Sequence, residues 1–193
     1  MAADLTPKVA SSVPGDSRMI EKTSTLHRID PFVDHLRGPM EAPLLVEYGD
    51  YECPYSRRAF REIERAERRL EGGLRFVFRH FPLTDIHPHA LAAAAAAEAA
   101  ASQDHFWEMH TALFHGQQAL EDEDLRRYAR DLGLDLERFD ADRASEPVSA
   151  RIQRDVASGL DSGEVHGTPT LFVNESVYRG SYDAATLVEV LSR

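Results

Sequence analysis

The sequence predicts an α/β domain that is interrupted by a helical segment, and three observations support this fold class. A strand–helix–strand pattern occupies residues 41–83, a strand–strand–helix pattern occupies 166–193, and the apolar residues of 84–165 recur at helical spacing. These segments connect without a long structureless loop, and 193 residues suffice for one domain with an insertion. We therefore predict a core formed by 41–83 and 166–193, an all-helical insertion at 84–165, and a partly disordered N-terminal extension at 1–40.

The first part of the core begins with an apolar, β-rich run at residues 44–48, which predicts a buried strand. Residues 49–52 can form only a tight turn, and Pro54 suits the first position of a helix, where a missing N–H costs nothing. Gly72 marks the end of this helix, and the alternating run at 74–81 predicts the second strand.

The insertion is predicted to begin with Asp85, which can cap a helix carrying the alanine-rich run. Further helices are predicted at 106–114, 122–132, 134–142 and 147–160. After the insertion, two short strands are expected on either side of an Asn174-Glu175 turn, and Asp183 is expected to cap the last helix.

Composition excludes several classes of function. A net charge of −11 and a pI of about 5.2 argue against nucleic-acid and anionic-membrane partners, because phosphate binding needs clustered positive charge. Arginines and glutamates alternate at 57–71, which predicts an ion-paired helix face. The sequence shows neither the apolar core of a secretory signal nor a membrane-spanning stretch, so we expect a cytoplasmic protein without a membrane partner.

Three motifs lie in separate parts of the chain. They read EYGDYECPYS at 47–56, HFPL at 80–83 and GTPT at 167–170. Together and in this order they resemble the DsbA-like branch of the thioredoxin fold, over a region from about residue 34 to the C-terminus. The resemblance implies a thioredoxin-like core with an inserted all-helical domain above the active-site end of the sheet. The sequence departs from the family at Ser56, where redox members usually carry the second cysteine of Cys-x-x-Cys.

Cys53, the only cysteine, is the candidate nucleophile. It would occupy the N-cap of the first helix, where unpaired N–H groups and the helix dipole favour a thiolate. Because it lies in a polar turn outside any apolar stripe, we expect a solvent-accessible, reactive thiol; the alternative is a buried, inert cysteine. Ser56 lies one helical turn later, where its hydroxyl could donate a hydrogen bond to the thiolate.

Ser56 cannot resolve a mixed disulfide, so release of a partner from Cys53 requires an external thiol. The sequence therefore predicts a monothiol exchange cycle with no bound cofactor, in which glutathione or another low-molecular-weight thiol is the co-substrate. A serine here would also result from replacing a cysteine to trap a mixed disulfide, and the sequence leaves both origins open.

The resemblance implies roles for further residues. Pro169 after Thr168 matches the cis-proline position, where the preceding backbone binds a substrate chain, and Pro54 and Tyr55 complete the predicted substrate-binding set. Glu47 aligns with the buried acid of the family, which relays protons beneath the cysteine. The alternative for Glu47 is a solvent-facing carboxylate, since strand alternation places it opposite its neighbours.

The histidines do not predict a metal site. His105, His110 and His115 are spaced five apart, which spreads them around a helix, and His87 and His89 lie at a proline-broken helix start. A sixth histidine, His166, precedes the 167–170 motif, where it either favours the thiolate as an imidazolium or lies on the surface.

Two functions remain open from the sequence. The first is thiol–disulfide exchange through Cys53, acting on proteins or peptides that carry thiols or disulfides. The second is a redox-inactive module that holds an extended peptide or a partner protein beside Pro169. A glutathione-transferase relative of the same fold would need a glutathione pocket that the sequence does not reveal.

Overall fold

The computed structural model describes residues 25–193, which form a mixed sheet covered by helices on both faces. The strands are β1 (His35–Arg37), β2 (Leu44–Gly49), β3 (Arg75–His80), β4 (Thr170–Val173) and β5 (Ser176–Tyr178). The helices are α1 (Pro54–Arg69), α2 (Ala90–Ala101), α3 (Phe106–His115), α4 (Asp122–Asp131), α5 (Leu136–Arg143), α6 (Glu146–Asp161) and α7 (Ala184–Leu191). The predicted α/β fold class with a thioredoxin-like core is confirmed.

The five strands lie in the order β1-β3-β2-β4-β5. β2 and β3 are parallel and are joined through α1, whereas β1 on β3, β4 on β2 and β5 on β4 are antiparallel. β2 is buried along its whole length because it lies in the centre of the sheet. The C-terminal end of this central strand leads directly into the turn that carries Cys53.

Side chains alternate between two buried layers. Leu45, Phe76, Phe78 and Leu171 face one layer, which includes α1, α7 and most of the insertion. The opposite side of the sheet packs a smaller layer, formed by Leu26, Leu44, Val46, Tyr48, Val77, Phe81, Val165 and Phe172. Both faces of the sheet are therefore covered, which agrees with the complete burial of the central strand β2.

Several local predictions agree with the structure. Asp183 caps α7, and its carboxylate accepts a hydrogen bond from the Thr186 N–H. Asn174 and Glu175 both have positive φ angles, of 45° and 69°, and form the turn between β4 and β5. Gly72, with φ of 82°, follows the end of α1 as expected for a helix stop.

Two details differ from the prediction. Asp85 is exposed and does not cap α2, which begins only at Ala90, because residues 83–87 form a separate turn with the Leu83 carbonyl as acceptor. The sheet also begins before residue 41, since β1 pairs with β3 from within the segment predicted as an extension. Residues 1–24 of that extension lie outside the described residues, and the division into core and insertion stays a prediction.

The lead-in to the sheet is held by a buried charged side chain. Arg79 on β3 is 1% exposed, and its guanidinium donates to both carboxylate oxygens of Asp34 at 2.9 and 3.1 Å. It also donates to the Tyr48 hydroxyl at 2.8 Å and to the carbonyls of His27 and Arg28. These bonds fix residues 27–34 against the sheet, because a buried guanidinium needs acceptors for its N–H groups.

Candidate active site

Cys53 is the N-cap residue of α1, and Pro54 occupies the first turn, as the sequence predicted. Its backbone is extended, with φ of −71° and ψ of 121°, and its N–H donates to the Asp50 carbonyl at 3.1 Å. Asp50 tightens the same turn by accepting the Glu52 N–H at 2.8 Å. No side chain in the described chain caps α1, so its first-turn N–H groups remain oriented toward the sulfur end of the helix.

The Cys53 thiol is more enclosed than the sequence suggested. The residue is only 3% exposed, and its Sγ donates to the Thr168 carbonyl oxygen at 3.3 Å. Gln117, from the segment after α3, covers the same turn by donating from Nε2 to the carbonyls of Tyr51 and Cys53 at 2.7 and 2.9 Å. The expectation of a solvent-accessible thiol was therefore wrong, because two segments distant in sequence pack over a turn that is locally polar.

Ser56 does not contact the sulfur. It is fully buried, and its Oγ accepts a hydrogen bond from the Asp50 N–H at 3.3 Å. Within residues 25–193 no hydrogen bond joins Ser56 to Cys53, so the expected bond to the thiolate is absent. Ser56 instead ties the first turn of α1 to the end of β2.

Thr168 and Pro169 lie opposite Cys53, immediately before β4, and the peptide bond between them is cis. Both residues are half-buried. Pro54 and Tyr55, which follow Cys53 in the chain, are both exposed, Tyr55 by 64%. The predicted substrate-binding residues thus surround Cys53, and Tyr55 presents an apolar ring to solvent beside it.

Glu47 lies on the central strand with no exposed surface, so the solvent-facing alternative is wrong. Neither carboxylate oxygen has a hydrogen-bond partner among the described residues. Burial raises the pKa of Glu47 from 4.5 to about 8, and the more distant Arg37 opposes this only in part. The carboxyl group is therefore largely protonated near neutral pH, and can take up or release a proton there.

Two acidic residues of the turn are held by histidines, which the sequence analysis did not anticipate. Asp50 Oδ2 contacts His87 Nδ1 at 2.7 Å and accepts the Leu83 N–H at 2.9 Å. Glu52 accepts the His89 N–H at 2.6 Å and contacts His89 Nδ1 at 2.9 Å. The hydrogen bond to Glu52 raises the pKa of His89. The segment before α2 therefore binds both acidic side chains of the turn that carries Cys53.

A second histidine cluster lies within the protein. His35 Nε2 and His80 Nε2 both contact Glu98 Oε1 at 2.7 Å, and these three residues come from β1, β3 and α2. Their ligand atoms lie within 4.8 Å of one another, as in a metal site, but the 2.7 Å contacts are hydrogen bonds, which account for the arrangement. Burial acts to raise the pKa of Glu98, but the bonds from the two histidines outweigh burial and lower it.

The remaining histidines are dispersed. His110 is buried and its Nδ1 contacts the Tyr51 hydroxyl at 3.1 Å, whereas His115 and His166 are exposed. His166 therefore fits the surface alternative. Sequence spacing could not reveal the cluster of His35, His80 and Glu98, since 63 residues separate its first and last members.

Comparison with known proteins also identifies a thioredoxin fold. The family model described as thioredoxin matches residues 32–193. A thioredoxin-like oxidoreductase from Silicibacter pomeroyi aligns with a TM-score of 0.75 at 30% identity, covering 85% of this chain and 92% of that chain. The thiol-disulfide exchange protein alpha-DsbA2 from Wolbachia pipientis aligns with a TM-score of 0.71 at 21% identity, covering 81% and 84%. The thioredoxin fold that the resemblance implied is confirmed, and a DsbA-like protein shares this fold.

Curated relatives of higher identity are much longer proteins. Na(+)/H(+) antiporter NhaA 1 from Salinispora arenicola is 49% identical over 163 residues, which is 82% of this chain and 24% of the relative. The protein of the same name from Mycolicibacterium gilvum is 47% identical over 169 residues, or 86% and 27%. The chain thus spans about a quarter of these relatives. None of the helices in residues 25–193 is long and apolar enough to cross a membrane.

Proposed function

Because this chain belongs to the thioredoxin family, we propose that it is a monothiol thiol–disulfide exchange protein acting through Cys53. The observation that carries the proposal is the position of the only cysteine, at the N-terminus of α1 and in contact with the Thr168 carbonyl beside Pro169. The thiolate is the reactive form in exchange, and the uncapped N–H groups of the first helical turn are available to donate hydrogen bonds at this position. Ser56 makes the cycle dependent on a second thiol from outside.

The proposed reaction has two steps. The Cys53 thiolate attacks one sulfur of a substrate disulfide, forms a mixed disulfide with it, and expels the other sulfur as a thiolate. A thiolate of glutathione or another small thiol then attacks the mixed disulfide and displaces Cys53, or the original partner returns. In the first step the Cys53 sulfur gives up its hydrogen bond to the Thr168 oxygen, which is possible because ionisation removes the S–H donor.

The surrounding residues have supporting roles in this proposal. The backbone at Thr168 and Pro169 holds an extended thiol- or disulfide-bearing peptide, and the exposed ring of Tyr55 packs against it beside Pro54. Glu47, largely protonated near neutral pH, serves as a proton donor and acceptor beneath the site. We propose that the reaction needs no bound cofactor and no nucleic-acid or membrane partner. We also propose that the protein acts in the cytoplasm.

A second candidate is a redox-inactive binding module, and the enclosure of Cys53 favours it. A residue that is 3% exposed cannot meet a disulfide without local movement of the covering segments. In that case the site beside Pro169 binds a peptide or partner protein without covalent exchange.

Intact-mass spectrometry separates the two candidates. The native protein is incubated with glutathione disulfide, and then with excess glutathione. We expect a gain of one glutathione at Cys53, reversed by the thiol and absent in Cys53→Ser. A native protein that gains no glutathione, yet does so once unfolded in urea, would exclude exchange and support the binding module.

A further inference from the structure

Three arginines beside Cys53 lack the carboxylate partners that their sequence context predicts. Arg57, Arg58 and Arg61 lie on the first two turns of α1, and none forms an ion pair within residues 25–193. Arg57 reaches only the His115 carbonyl, at 3.4 Å, and Arg58 lies over the Tyr182 ring. The alternating pattern of 57–71 is thus not an ion-paired face in this part of the helix.

Two glutamates of α1 have partners other than these three arginines. Glu62 pairs with Arg65 and accepts the Ala184 N–H at 2.9 Å, while Glu67 binds Arg37 through both carboxylate oxygens. Glu62 lies at the same surface but pairs with Arg65, so the three arginines leave a net positive charge there on a chain whose net charge is −11. Such a local positive surface attracts anions against the field of the whole protein.

These arginines line a cleft whose wall includes Pro54, the residue that follows the nucleophile. The cleft has a volume of about 330 Å³, and its lining includes Pro54, the three arginines, the Glu62–Arg65 ion pair, Gln117 and Gln118. Gln117 is fixed by its bonds to the Tyr51 and Cys53 carbonyls, which ties the cleft wall to the helix N-cap. Arg57 Nε is buried there and has no acceptor among the described residues, which is costly unless a ligand supplies one.

We propose that this cleft is a carboxylate subsite, and that the small thiol or disulfide exchanging with Cys53 carries carboxylate groups near its sulfur. The inference rests on the function proposed above and adds the substrate class. A volume of about 330 Å³ suits a low-molecular-weight compound. Guanidinium groups bind carboxylates in bidentate geometry, so the arginines hold the carboxylates while Cys53 forms the new disulfide and the second half leaves as a thiolate.

Two disulfide probes of different charge test this subsite. Dithionitrobenzoate carries one carboxylate on each half, whereas 4,4′-dithiodipyridine is neutral, and each releases a coloured leaving group on attack by a thiolate. The signal reports Cys53 alone because the chain has one cysteine. The measured quantity is the ratio of the two second-order rate constants at neutral pH, at low salt and at about 1 M salt, where the screening length is about 3 Å.

The test variant is Arg57→Gln with Arg61→Gln, and the matched control is Arg68→Gln with Arg69→Gln. The control removes the same charge from exposed positions of the same helix, and Arg69 lies about 18 Å along the axis from Arg57 at ~1.5 Å per residue. We expect the anionic-to-neutral ratio to fall about two- to fivefold for each removed cleft charge, and to remain near the wild-type value in the control. High salt should lower the wild-type ratio toward that of the test variant.

The neutral probe corrects for any change in folding or in thiol activation, since both affect the two rates alike. Equal ratios in wild type, test variant and control would overturn the subsite while leaving exchange through Cys53 intact. A native wild type that reacts with neither probe, but reacts after unfolding, would overturn the proposed function and the subsite with it.

Discussion

Replacing Glu47 with glutamine should remove a large pH dependence of stability. Glu47 is fully buried on the central strand and its carboxylate oxygens lack partners in the described chain. The pKa of its carboxyl group is about 8 in the folded protein, against an ordinary value of 4.5. Below pH 4.5 the Glu47 carboxyl group is protonated in both the folded and the unfolded state, and above pH 8 it is ionised in both. Between these values unfolding releases a proton, so raising the pH favours the unfolded state.

The magnitude follows from the pKa difference. Each pKa unit corresponds to ~1.4 kcal/mol, so the full penalty above pH 8 is about 5 kcal/mol and the part already incurred at pH 7 is about 3 kcal/mol. A typical domain is stable by only ~5–15 kcal/mol, so this one group accounts for a substantial fraction. Glutamine keeps the shape and cannot ionise. The free energy of unfolding of Glu47→Gln should therefore match that of wild type near pH 4.5 and exceed it by about 3 kcal/mol at pH 7.

Urea unfolding at a series of pH values between 4.5 and 8.5 measures the effect. The control is Glu41→Gln, which removes the same charge from an exposed position and should follow the wild-type curve. If Glu47→Gln and wild type show parallel stability across this range, the carboxyl group is ionised at neutral pH. The proton-transfer role proposed for Glu47 would then be wrong.

Three further substitutions test other parts of the account. Glu98→Ala leaves His35 and His80 without their shared acceptor and should lower the free energy of unfolding by about 3 kcal/mol, measured in urea at neutral pH. The control, Glu108→Ala on an exposed part of α3, should lower it little. Equal losses in the two variants would mean that the cluster is not stabilising. Because the pKa of Glu98 is lowered in the folded state, its contribution should be present above about pH 4.5 and decline as the pH falls below that value. Arg79→Met removes the buried partner of Asp34 and should lower the free energy of unfolding by about 3–5 kcal/mol. It should also accelerate tryptic cleavage after Arg28, whereas the control Arg75→Met should not. Unchanged cleavage would show that residues 27–34 are held by other contacts. Ser56→Cys supplies an internal resolving thiol, so a mixed disulfide at Cys53 should disappear without added thiol, as followed by intact mass; a persistent adduct would mean that position 56 cannot reach the sulfur.

Local chemistry determined much of what the sequence predicted correctly. Cys53 before Pro54 places the N-cap, Asp183 supplies its own cap bond, and Asn174 tolerates the positive φ of a two-residue turn. Each of these features depends on residues close in sequence. Propensity and periodicity therefore suffice to find them.

The errors arose where distant segments meet. The Cys53 turn is polar in sequence, yet Thr168 and Gln117 pack over it and enclose the thiol. The turn at residues 83–87, which separates Asp85 from α2, is held by the active-site turn, since Asp50 accepts the Leu83 N–H and Glu52 accepts the His89 N–H. Tertiary contacts of this kind override local signals, and no spacing within one segment encodes them.

Strand β1 was missed for a different reason. It has three residues, and all of them are half-buried rather than alternating between buried and exposed. A strand this short shows no period of two, and its polar ends, His35 and Arg37, find their carboxylate partners on α2 and α1, far away in sequence. Its place in the sheet follows from pairing with β3, which the sequence does not reveal.

Turnover of a glutathionylated peptide with glutathione as the reductant tests the central claim most directly. Wild type should release the peptide thiol over many cycles, Cys53→Ser should be inactive, and a Cys53–glutathione mixed disulfide should accumulate when glutathione is limiting. A wild type no faster than Cys53→Ser, with no activity gained by Ser56→Cys, would contradict exchange chemistry and leave the binding module as the function of this fold.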